Sequence, residues 1–167
     1  MKKQKLIFIF LLFSLFLSSC KDSSTEPDNQ FVQISFKYGF KNELNTFENT
    51  YQKDLFYGDV IKVDFWLTIE EQKSIIKKAE EINFFMLPDT LITIQEDSIK
   101  VSSSPNPGAQ TLRIRCNSKD KTTVWFYPLV ENSDQMKQIM EINSFVISLI
   151  ESKPEYKKLP PSRGGYD

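Results

Sequence analysis

Residues 60–82, VIKVDFWLTIEEQKSIIKKAEEI, contain the change of periodicity that decides the fold. Over the first eight positions every second residue, from 61 to 67, is apolar, and the residues between them include a lysine and an aspartate. This period of two predicts a strand at residues 60–67 with one buried face. Trp66 falls on the other face, because successive side chains of a strand point to opposite sides. The side chains expected on the buried face are Ile61, Val63, Phe65 and Leu67.

This strand passes directly into a helix. Thr68 precedes Glu71 by three residues, the spacing of a capping box, in which the hydroxyl and the carboxylate each accept a hydrogen bond from a backbone N–H group. We expect the helix to end before Leu87-Pro88, because proline disfavours helical backbone in the residue that precedes it. Apolar residues recur at helical spacing and predict one stripe facing the core, formed by Ile75, Ile76, Ala79 and Ile82.

The segment before this switch predicts two more strands. Apolar and polar residues alternate over residues 31–38, and residues 39–45 have the composition of a turn. Residues 46–55 predict the second strand, in which threonines support extended backbone beside Phe47 and Tyr51.

The segment after the first helix predicts two to four strands and then a second helix. That helix spans residues 132–152, is capped by Asn132 or Ser133 and is stopped by Pro154. Its apolar stripe is Met136, Ile139, Met140, Val146, Leu149 and Ile150. The preceding segments are one or two short strands within 90–101, a serine- and proline-rich loop at 102–108, and strands at 112–116 and 121–127 joined by a hairpin at 117–120.

This order of elements predicts an α+β fold. Strands joined by short turns form an antiparallel sheet of about five to seven strands, and two one-sided helices both pack on one face of it, in the order βββα-ββββ-α. The single domain covers residues 31–153, and residues 154–167 form an irregular C-terminal tail because they are rich in proline and glycine.

The position of Trp125 depends on the hairpin register. A loop of two or four residues pairs Trp125 with Leu112 and buries it, whereas a loop of three or five residues exposes it. The loop has no glycine for the left-handed position that a three-residue bulged turn prefers, although Asn117 or Asp120 can adopt that conformation. This favours Trp125 in the core.

The first twenty residues indicate where the protein resides. Lys2, Lys3 and Lys5 precede an apolar run at residues 6–17, which is too short to span a bilayer because a spanning helix needs about 20 apolar residues. The run closes on Leu17-Ser18-Ser19-Cys20, which resembles the lipobox of bacterial lipoproteins. The resemblance implies cleavage of residues 1–19, acylation of Cys20 on its thiol and new amino terminus, and attachment to the membrane through those acyl chains.

The segment at residues 20–30 is expected to be the lipidated cysteine and a flexible tether, since it contains no large apolar residue. Lys21-Asp22 resembles the short charged signals that send some bacterial lipoproteins to the cell surface. A lysine directly after the cysteine also resembles the outer-membrane sorting pattern of Gram-negative bacteria. We therefore favour the outer membrane and leave the leaflet open.

Composition excludes several classes of function. The chain has no histidine, so catalytic triads and histidine-ligated metals are absent, and we expect no cofactor and no metal. The signal contains three of the 21 basic residues and none of the 22 acidic ones, so the mature chain has a formal charge of 18 minus 22, or −4. This balance argues against a nucleic-acid partner, which calls for a basic patch. With Cys20 acylated, Cys116 is expected to be a buried, inert thiol.

Two chemistries remain as candidates. Asp59 and Asp64, near Glu48 and Asp54, are a possible carboxylate pair for an envelope hydrolase. Solvated carboxylates at turns and strand edges are the simpler interpretation of these residues. Glu96-Asp97 lacks the alternating ligands of a calcium loop.

The second candidate is a binding face. The outer side of the sheet is expected to present Trp66 with Arg113 and Arg115, which lie away from Leu112 and Ile114. If the register also places Trp125 and Tyr127 on that side, the surface suits a peptide or a glycan. Ser104 and Asn106, in the serine–proline loop, are further candidate ligand-binding residues because loops often carry function.

Several short segments together resemble uncharacterised small bacterial envelope proteins. They are Asn45-Thr46-Phe47 with Lys53-Asp54, Leu67-Thr68-x-Glu70-Glu71, and Leu159-Pro160-Pro161. The resemblance implies a shared domain and no particular activity. The function expected is that of a lipid-anchored envelope protein whose domain binds another envelope protein, a glycan, or an enzyme that it inhibits.

Overall fold

Seven strands form one sheet within the residues that this computed structural model describes, which are 32–56, 59–91, 108–126 and 133–163. They are β1 (Val32–Tyr38), β2 (Asn42–Asn45), β3 (Thr50–Asp54), β4 (Val60–Asp64), β5 (Thr90–Leu91), β6 (Ala109–Cys116) and β7 (Lys119–Phe126). Their order in the sheet is β4-β3-β2-β1-β6-β7-β5. Every neighbouring pair is antiparallel except β5 and β7, which are parallel.

The α-helices of the described chain are α1 (Ile69–Glu81), α2 (Asp134–Ser152) and the short α3 (Pro154–Lys157), and a 3₁₀ turn spans Phe84–Met86. Buried residues of α1 and α2 belong to the same core cluster as the inward side chains of β1 and β6. The two long helices therefore cover one face of the sheet, and the fold is α+β as the sequence predicts. The opposite face, called here the outer face, carries polar and charged residues.

The helix ends match the sequence analysis closely. The Thr68 hydroxyl accepts from the Glu71 N–H at 3.2 Å, and the Glu71 carboxylate accepts from the Thr68 N–H at 2.7 Å, so the capping box is formed. Ser133 is the N-cap of α2 and accepts a hydrogen bond from the N–H of Met136. Asn83 adopts a left-handed conformation with φ of 55° after α1 and turns the chain away from the helix.

Strand β2 was not expected from the sequence, which predicts a turn at residues 39–45. Leu44 is the one apolar residue in Asn42–Asn45, so the sequence alternation is too weak to reveal a strand. Pairing on both sides holds it in place, with Leu44 opposite Phe36 on β1 and opposite Tyr51 on β3. The turn that follows occupies positions predicted as strand, and Asn49 completes it with φ of 54°.

The C-terminal segment is a second correction. The sequence predicts an irregular segment, but Pro154–Lys157 form a helical turn. Proline is tolerated at the first helical position because the N–H group that it lacks has no hydrogen-bond partner within the helix there. The chain then runs beside β3, where the Arg163 N–H donates to the Leu55 carbonyl and the Ser162 hydroxyl donates to the Asp54 carbonyl. Lys53 is 8% exposed, and its ammonium donates to the Pro160 carbonyl at 2.9 Å.

The β6–β7 hairpin settles the position of Trp125. The turn has two residues, Asn117 and Ser118, and Asn117 supplies the left-handed backbone with φ of 53°. Trp125 is 0% exposed, so its predicted burial is confirmed. Its cross-strand partner is Gln110 rather than Leu112, because the turn is centred one residue earlier than expected and the pairing shifts by two.

Candidate binding site on the outer sheet face

The two arginines of β6 lie on the outer face as the sequence predicts. In β6 the inward side chains Leu112 and Ile114 are 0% exposed, and the side chains of Arg113 and Arg115 alternate with them. Their own side chains are 38% and 41% exposed. Strand alternation therefore brings two guanidinium groups to neighbouring positions on one open surface.

Asp120 joins the two arginines. The Arg113 guanidinium is bidentate, with Nε donating to Oδ1 at 2.9 Å and Nη2 donating to Oδ2 at 2.7 Å. Arg115 Nε donates to the same Oδ2 at 3.2 Å, and Arg115 Nη1 donates to Gln33 Oε1 at 3.3 Å. Cross-strand pairing of Arg115 with Asp120 and with Gln33 on either side explains why these groups meet.

Phe47 completes this group of side chains. Its ring centroid lies 5.1 Å from the Arg113 Cζ atom and 5.6 Å from the Arg115 Cζ atom, so one ring faces both guanidinium groups. The β2–β3 turn positions it: the Asn45 side chain accepts from the Phe47 N–H, and the Thr46 hydroxyl bonds to the backbone of Ile34. We call Gln33, Phe47, Arg113, Arg115 and Asp120 the arginine cluster.

The hydrogen bonds within the arginine cluster stabilise the charged forms of Asp120 and Arg113. The bidentate Arg113 lowers the pKa of Asp120 from its usual 3.8 to about 2, with a smaller contribution from Arg115. The hydrogen bond to Asp120 in turn raises the pKa of Arg113. At neutral pH the cluster therefore has two cations and one anion, a net charge of +1.

The arginine cluster has the chemistry of a recognition site for a carboxylate or a polar glycan. Two guanidinium groups offer ten N–H donors, and the hydrogen bonds described above use four of them. The fork geometry of a guanidinium matches a carboxylate, and the face of Phe47 adds an apolar surface for a sugar or peptide group.

Trp66 is exposed as predicted, at 55%, but the structure does not bring it together with the arginines. It follows β4, and β3, β2 and β1 lie between β4 and β6. Four strand spacings correspond to roughly 19 Å. The aromatic residue beside Arg113 and Arg115 is Phe47, whereas the sequence predicts Trp66 on that surface.

Sequence analysis missed Phe47, Asp120 and Gln33 as parts of this site. Asp120 was assigned to the hairpin loop, and only the two-residue turn puts it in the strand opposite Arg115. Gln33 is opposite Arg115 on β1, which the alternation of both strands indicates once their pairing is known. The position of Phe47 depends on the unpredicted β2–β3 turn, and no sequence signal reveals it.

Asp59 and Asp64, the carboxylate pair considered for hydrolysis, do not converge. Asp54 is 3% exposed and caps a turn by accepting from the Phe56 N–H, whereas Asp59 is exposed before β4. Asp64 lies at the other end of β4, five residues from Asp59 and so roughly 17 Å along the strand. Glycosidase carboxylates are about 5–9.5 Å apart. Glu48, near that end of β4, forms an exposed ion pair with Lys62 at 3.0 Å.

Two tyrosines on the covered side of the sheet form a hydrogen-bonded pair, Tyr38 half-buried on β1 and Tyr51 buried on β3. The Tyr38 and Tyr51 hydroxyl oxygens are 2.7 Å apart, and the Tyr51 hydroxyl also donates to Asn42 Oδ1 at 3.4 Å. Burial raises the pKa of both phenols above the usual 10, so both stay neutral across the physiological range. Each hydroxyl has a partner within the protein, which is the arrangement of a structural pair.

A shallow depression of about 230 Å³ borders the β1–β2 turn. Several of its polar side chains already have partners: Lys37 pairs with Glu43 at 3.8 Å, and the Gln52 side chain donates to the Lys41 carbonyl. It therefore lacks the convergent polar groups of a small-molecule site.

The remaining predicted residues fall outside the described ranges. These are Cys20 with its lipobox, and Ser104, Asn106 and Glu96-Asp97 in the segment before Gly108. Cys116 is 4% exposed, which confirms its predicted burial. Among the residues with described positions, no acidic or cysteine side chains cluster in a way that would hold a metal ion.

Comparison with known proteins gives no relative. The chain matches no family model, no curated protein and no solved structure. In the described part of the chain, none of the helices combines the length and the apolar character needed to cross a membrane.

Proposed function

We propose that this protein is a lipid-anchored component of the bacterial cell envelope, favoured at the outer membrane, that binds a carboxylate-bearing envelope partner through the arginine cluster. The observation that carries the binding half is the pair of half-exposed guanidinium groups, Arg113 and Arg115, beside one aromatic ring on a sheet face that the long helices leave open. The anchoring half is supported by the basic, apolar and Leu17-Ser18-Ser19-Cys20 segments of the sequence.

The side chains of the arginine cluster suit binding better than catalysis. Asp120 accepts three hydrogen bonds from arginine and has a pKa of about 2, so it neither donates nor takes up a proton near neutral pH. What the cluster supplies is fixed positive charge and oriented donors, which recognise carboxylates by geometry. The partner is therefore expected to be an acidic glycan or peptide, or an envelope protein that presents an acidic surface.

Two experiments test the two halves of this proposal separately. Cys20→Ala in the full chain should move the protein from the membrane fraction to the soluble fraction, because two acyl chains are what holds it there. A Cys20→Ala chain that still pellets with membranes would contradict the anchor. The anchor and the binding face are independent, so each can fail while the other stands.

The binding half is tested by capture from an extract of the native envelope. The full chain and its Arg113→Gln/Arg115→Gln variant are immobilised, and the captured species are compared. Lys37→Gln is the matched control, since Lys37 lies on the same face of the neighbouring strand β1 and is exposed. A species captured by the full chain and by Lys37→Gln, but lost from the double-arginine variant, supports the proposal.

A further inference from the structure

Among the described residues, strand β4 is an edge of the sheet, and its outward backbone groups have no strand partner there. The Phe65 N–H donates to Asn49 and the Leu55 N–H donates to Asp59, so the odd-numbered residues of this strand point their backbone groups toward β3. Val60, Lys62, Asp64 and Trp66 must then point theirs outward. Within the described chain β4 has β3 as its one strand neighbour. Such an edge is a template for another strand.

The side chains along this edge alternate apolar, basic, acidic and apolar. Val60 is 43% exposed and Trp66 is 55% exposed, and both are among the large apolar residues that the fold leaves in solvent. Lys62 lies between them at 52% side-chain exposure, and Asp64 is also exposed. All four side chains lie on the outer face, because they are two residues apart along an extended segment.

We propose that β4 pairs with β4 of a second copy of this chain, antiparallel and centred on Val63. In that register Lys62 of each copy lies opposite Asp64 of the other, and Val60 lies opposite Trp66. These are the residues with outward backbone groups, so the opposed pairs also exchange the ladder hydrogen bonds. Two opposite-charge pairs and two apolar pairs form at once, and the two sheets become one continuous sheet.

The neighbouring registers are excluded by charge. Centring the pairing on Lys62 places two ammonium groups directly opposite each other, and centring it on Asp64 does the same with two carboxylates. Lys62 does make an ion pair with Glu48 in the single chain, but both side chains are exposed, so exchanging that partner costs little. Charge therefore favours the register centred on Val63 over those centred on Lys62 and Asp64, and this match of the strand with itself argues for another copy of the same strand as the occupant.

A disulfide tests the register in the full chain. The two Val63 residues face each other as a non-hydrogen-bonded pair with Cα atoms about 4.5 Å apart, which a disulfide can bridge. Val63→Cys should become disulfide-linked dimer on mild oxidation, as read on a non-reducing gel. Lys37→Cys, exposed on the interior strand β1, is the matched control and should yield roughly tenfold less dimer because no register opposes it to its copy.

Charge reversal on the Val63→Cys background tests the occupant. Lys62→Asp should lower the yield of linked dimer roughly tenfold, since two attractive pairs become repulsive, and adding Asp64→Lys should restore the yield. These positions are exposed, so the fold is expected to survive the changes. Equal yields from Val63→Cys and Lys37→Cys, or failure of the double reversal to restore the dimer, would overturn the proposal. The result does not depend on lipid anchoring or on the arginine cluster.

Discussion

The two tryptophans occupy opposite surroundings at the residue scale. Trp125 is 0% exposed and packs in the core, opposite Gln110 on β6, whereas Trp66 is 55% exposed beyond the end of β4. The hydrophobic contribution of a side chain follows the apolar area that it removes from water. One tryptophan is therefore part of the core, and the other is available to a partner.

This contrast predicts very different costs of truncation. Trp125→Ala should lower the free energy of unfolding by about 3–5 kcal/mol through lost burial and a residual cavity. Trp66→Ala should change it by less than about 0.5 kcal/mol, as expected for an exposed position. Urea unfolding followed by far-UV circular dichroism measures both values. Similar costs for the two variants would mean that the hairpin register is misassigned.

Asp120 gives a pH-dependent prediction at the same scale. Its pKa is about 2 in the folded chain against 3.8 for a free side chain, chiefly because Arg113 donates to it. A lowered folded pKa stabilises the protein above the unfolded value, and this stabilisation is lost as pH falls from about 4 to about 2. The side chain is 39% exposed, so the loss should stay below about 1 kcal/mol.

The measurement is thermal unfolding of the unaltered chain and of Asp120→Asn between neutral pH and pH 2. Asp120→Asn should be less stable at neutral pH, and the difference should vanish toward the acid end because the unaltered carboxyl is then protonated. A difference that persists undiminished at the lowest pH would show that Arg113 does not act on Asp120 through its charge.

At the scale of elements, the sequence predicts those whose local pattern agrees with their surroundings. Helix α1 is predictable because a capping box, an apolar stripe and a following proline all indicate the same segment. Strand β2 is not predictable, because three of its four residues are polar and its pairing comes from β1 and β3. The helical turn that begins at Pro154 is not predicted either, because a proline that stops one helix can also be the first residue of the next.

The candidate site is only half predictable for the same reason. Alternation along β6 places Arg113 and Arg115 outward without knowledge of any other element. Asp120 and Phe47 enter the cluster through a turn length and a turn position, which depend on tertiary pairing rather than on local pattern. The sequence therefore predicts the positions of the two arginines but not those of Asp120 and Phe47.

The start of α1 supplies an element-scale prediction. Glu71 accepts from the Thr68 N–H and also from the Lys153 ammonium at 2.8 Å, and Lys153 has a side-chain exposure of 10%. The capping box thus joins the beginning of α1 to the end of α2. Glu71→Ala should cost about 2 kcal/mol, because it removes a cap and leaves a nearly buried ammonium without its carboxylate.

The matched control is Glu70→Ala, one residue earlier in the same first turn and exposed. It should cost less than about 0.5 kcal/mol, since the charge and the hydrogen bonds that it loses at the helix start are exposed to solvent. Urea unfolding of both variants gives the comparison. If the two changes cost the same, then the contact between Glu71 and Lys153 contributes nothing to stability.

At the scale of the whole molecule, the C-terminal segment links the end of α2 to strand β3 in the first half of the chain. After α3 it returns to β3, where Pro160 accepts from Lys53, and Ser162 and Arg163 bond to the backbone of Asp54 and Leu55. Tyr156 also stacks under the Lys53 ammonium, 4.6 Å from the ring centroid. The segment therefore supplies hydrogen-bond partners to the Lys53 ammonium and to the backbone of Asp54 and Leu55.

Truncation tests this role. Ending the chain after Lys153 should lower the free energy of unfolding by about 2–4 kcal/mol, because it removes the hydrogen bonds of the segment to β3 and the packing of Tyr156 and Leu159 against the core. Ending it after Arg163, which retains all of these contacts, should leave stability within about 0.5 kcal/mol. Thermal and urea unfolding distinguish the two forms. A stable chain without residues 154–167 would contradict the structural role of the segment.

The described residues form a two-layer domain, in which the long helices cover one face of the sheet and leave the other uncovered. The covered face holds the core, and the open face holds the arginine cluster. A solvated sheet face that positions two guanidinium groups by strand alternation and one ring by a turn is a rigid platform for recognition. This division between the two faces is the basis of the proposed binding function.

The most direct test is quantitative capture from native envelope extract on the full chain, on Arg113→Gln/Arg115→Gln and on Lys37→Gln, read by mass spectrometry and by carbohydrate analysis. We predict a carboxylate-bearing species that the full chain and Lys37→Gln capture equally and that the double-arginine variant captures roughly tenfold less, as expected for losing two charge-assisted contacts. Equal capture by all three chains would contradict the arginine cluster as the binding site.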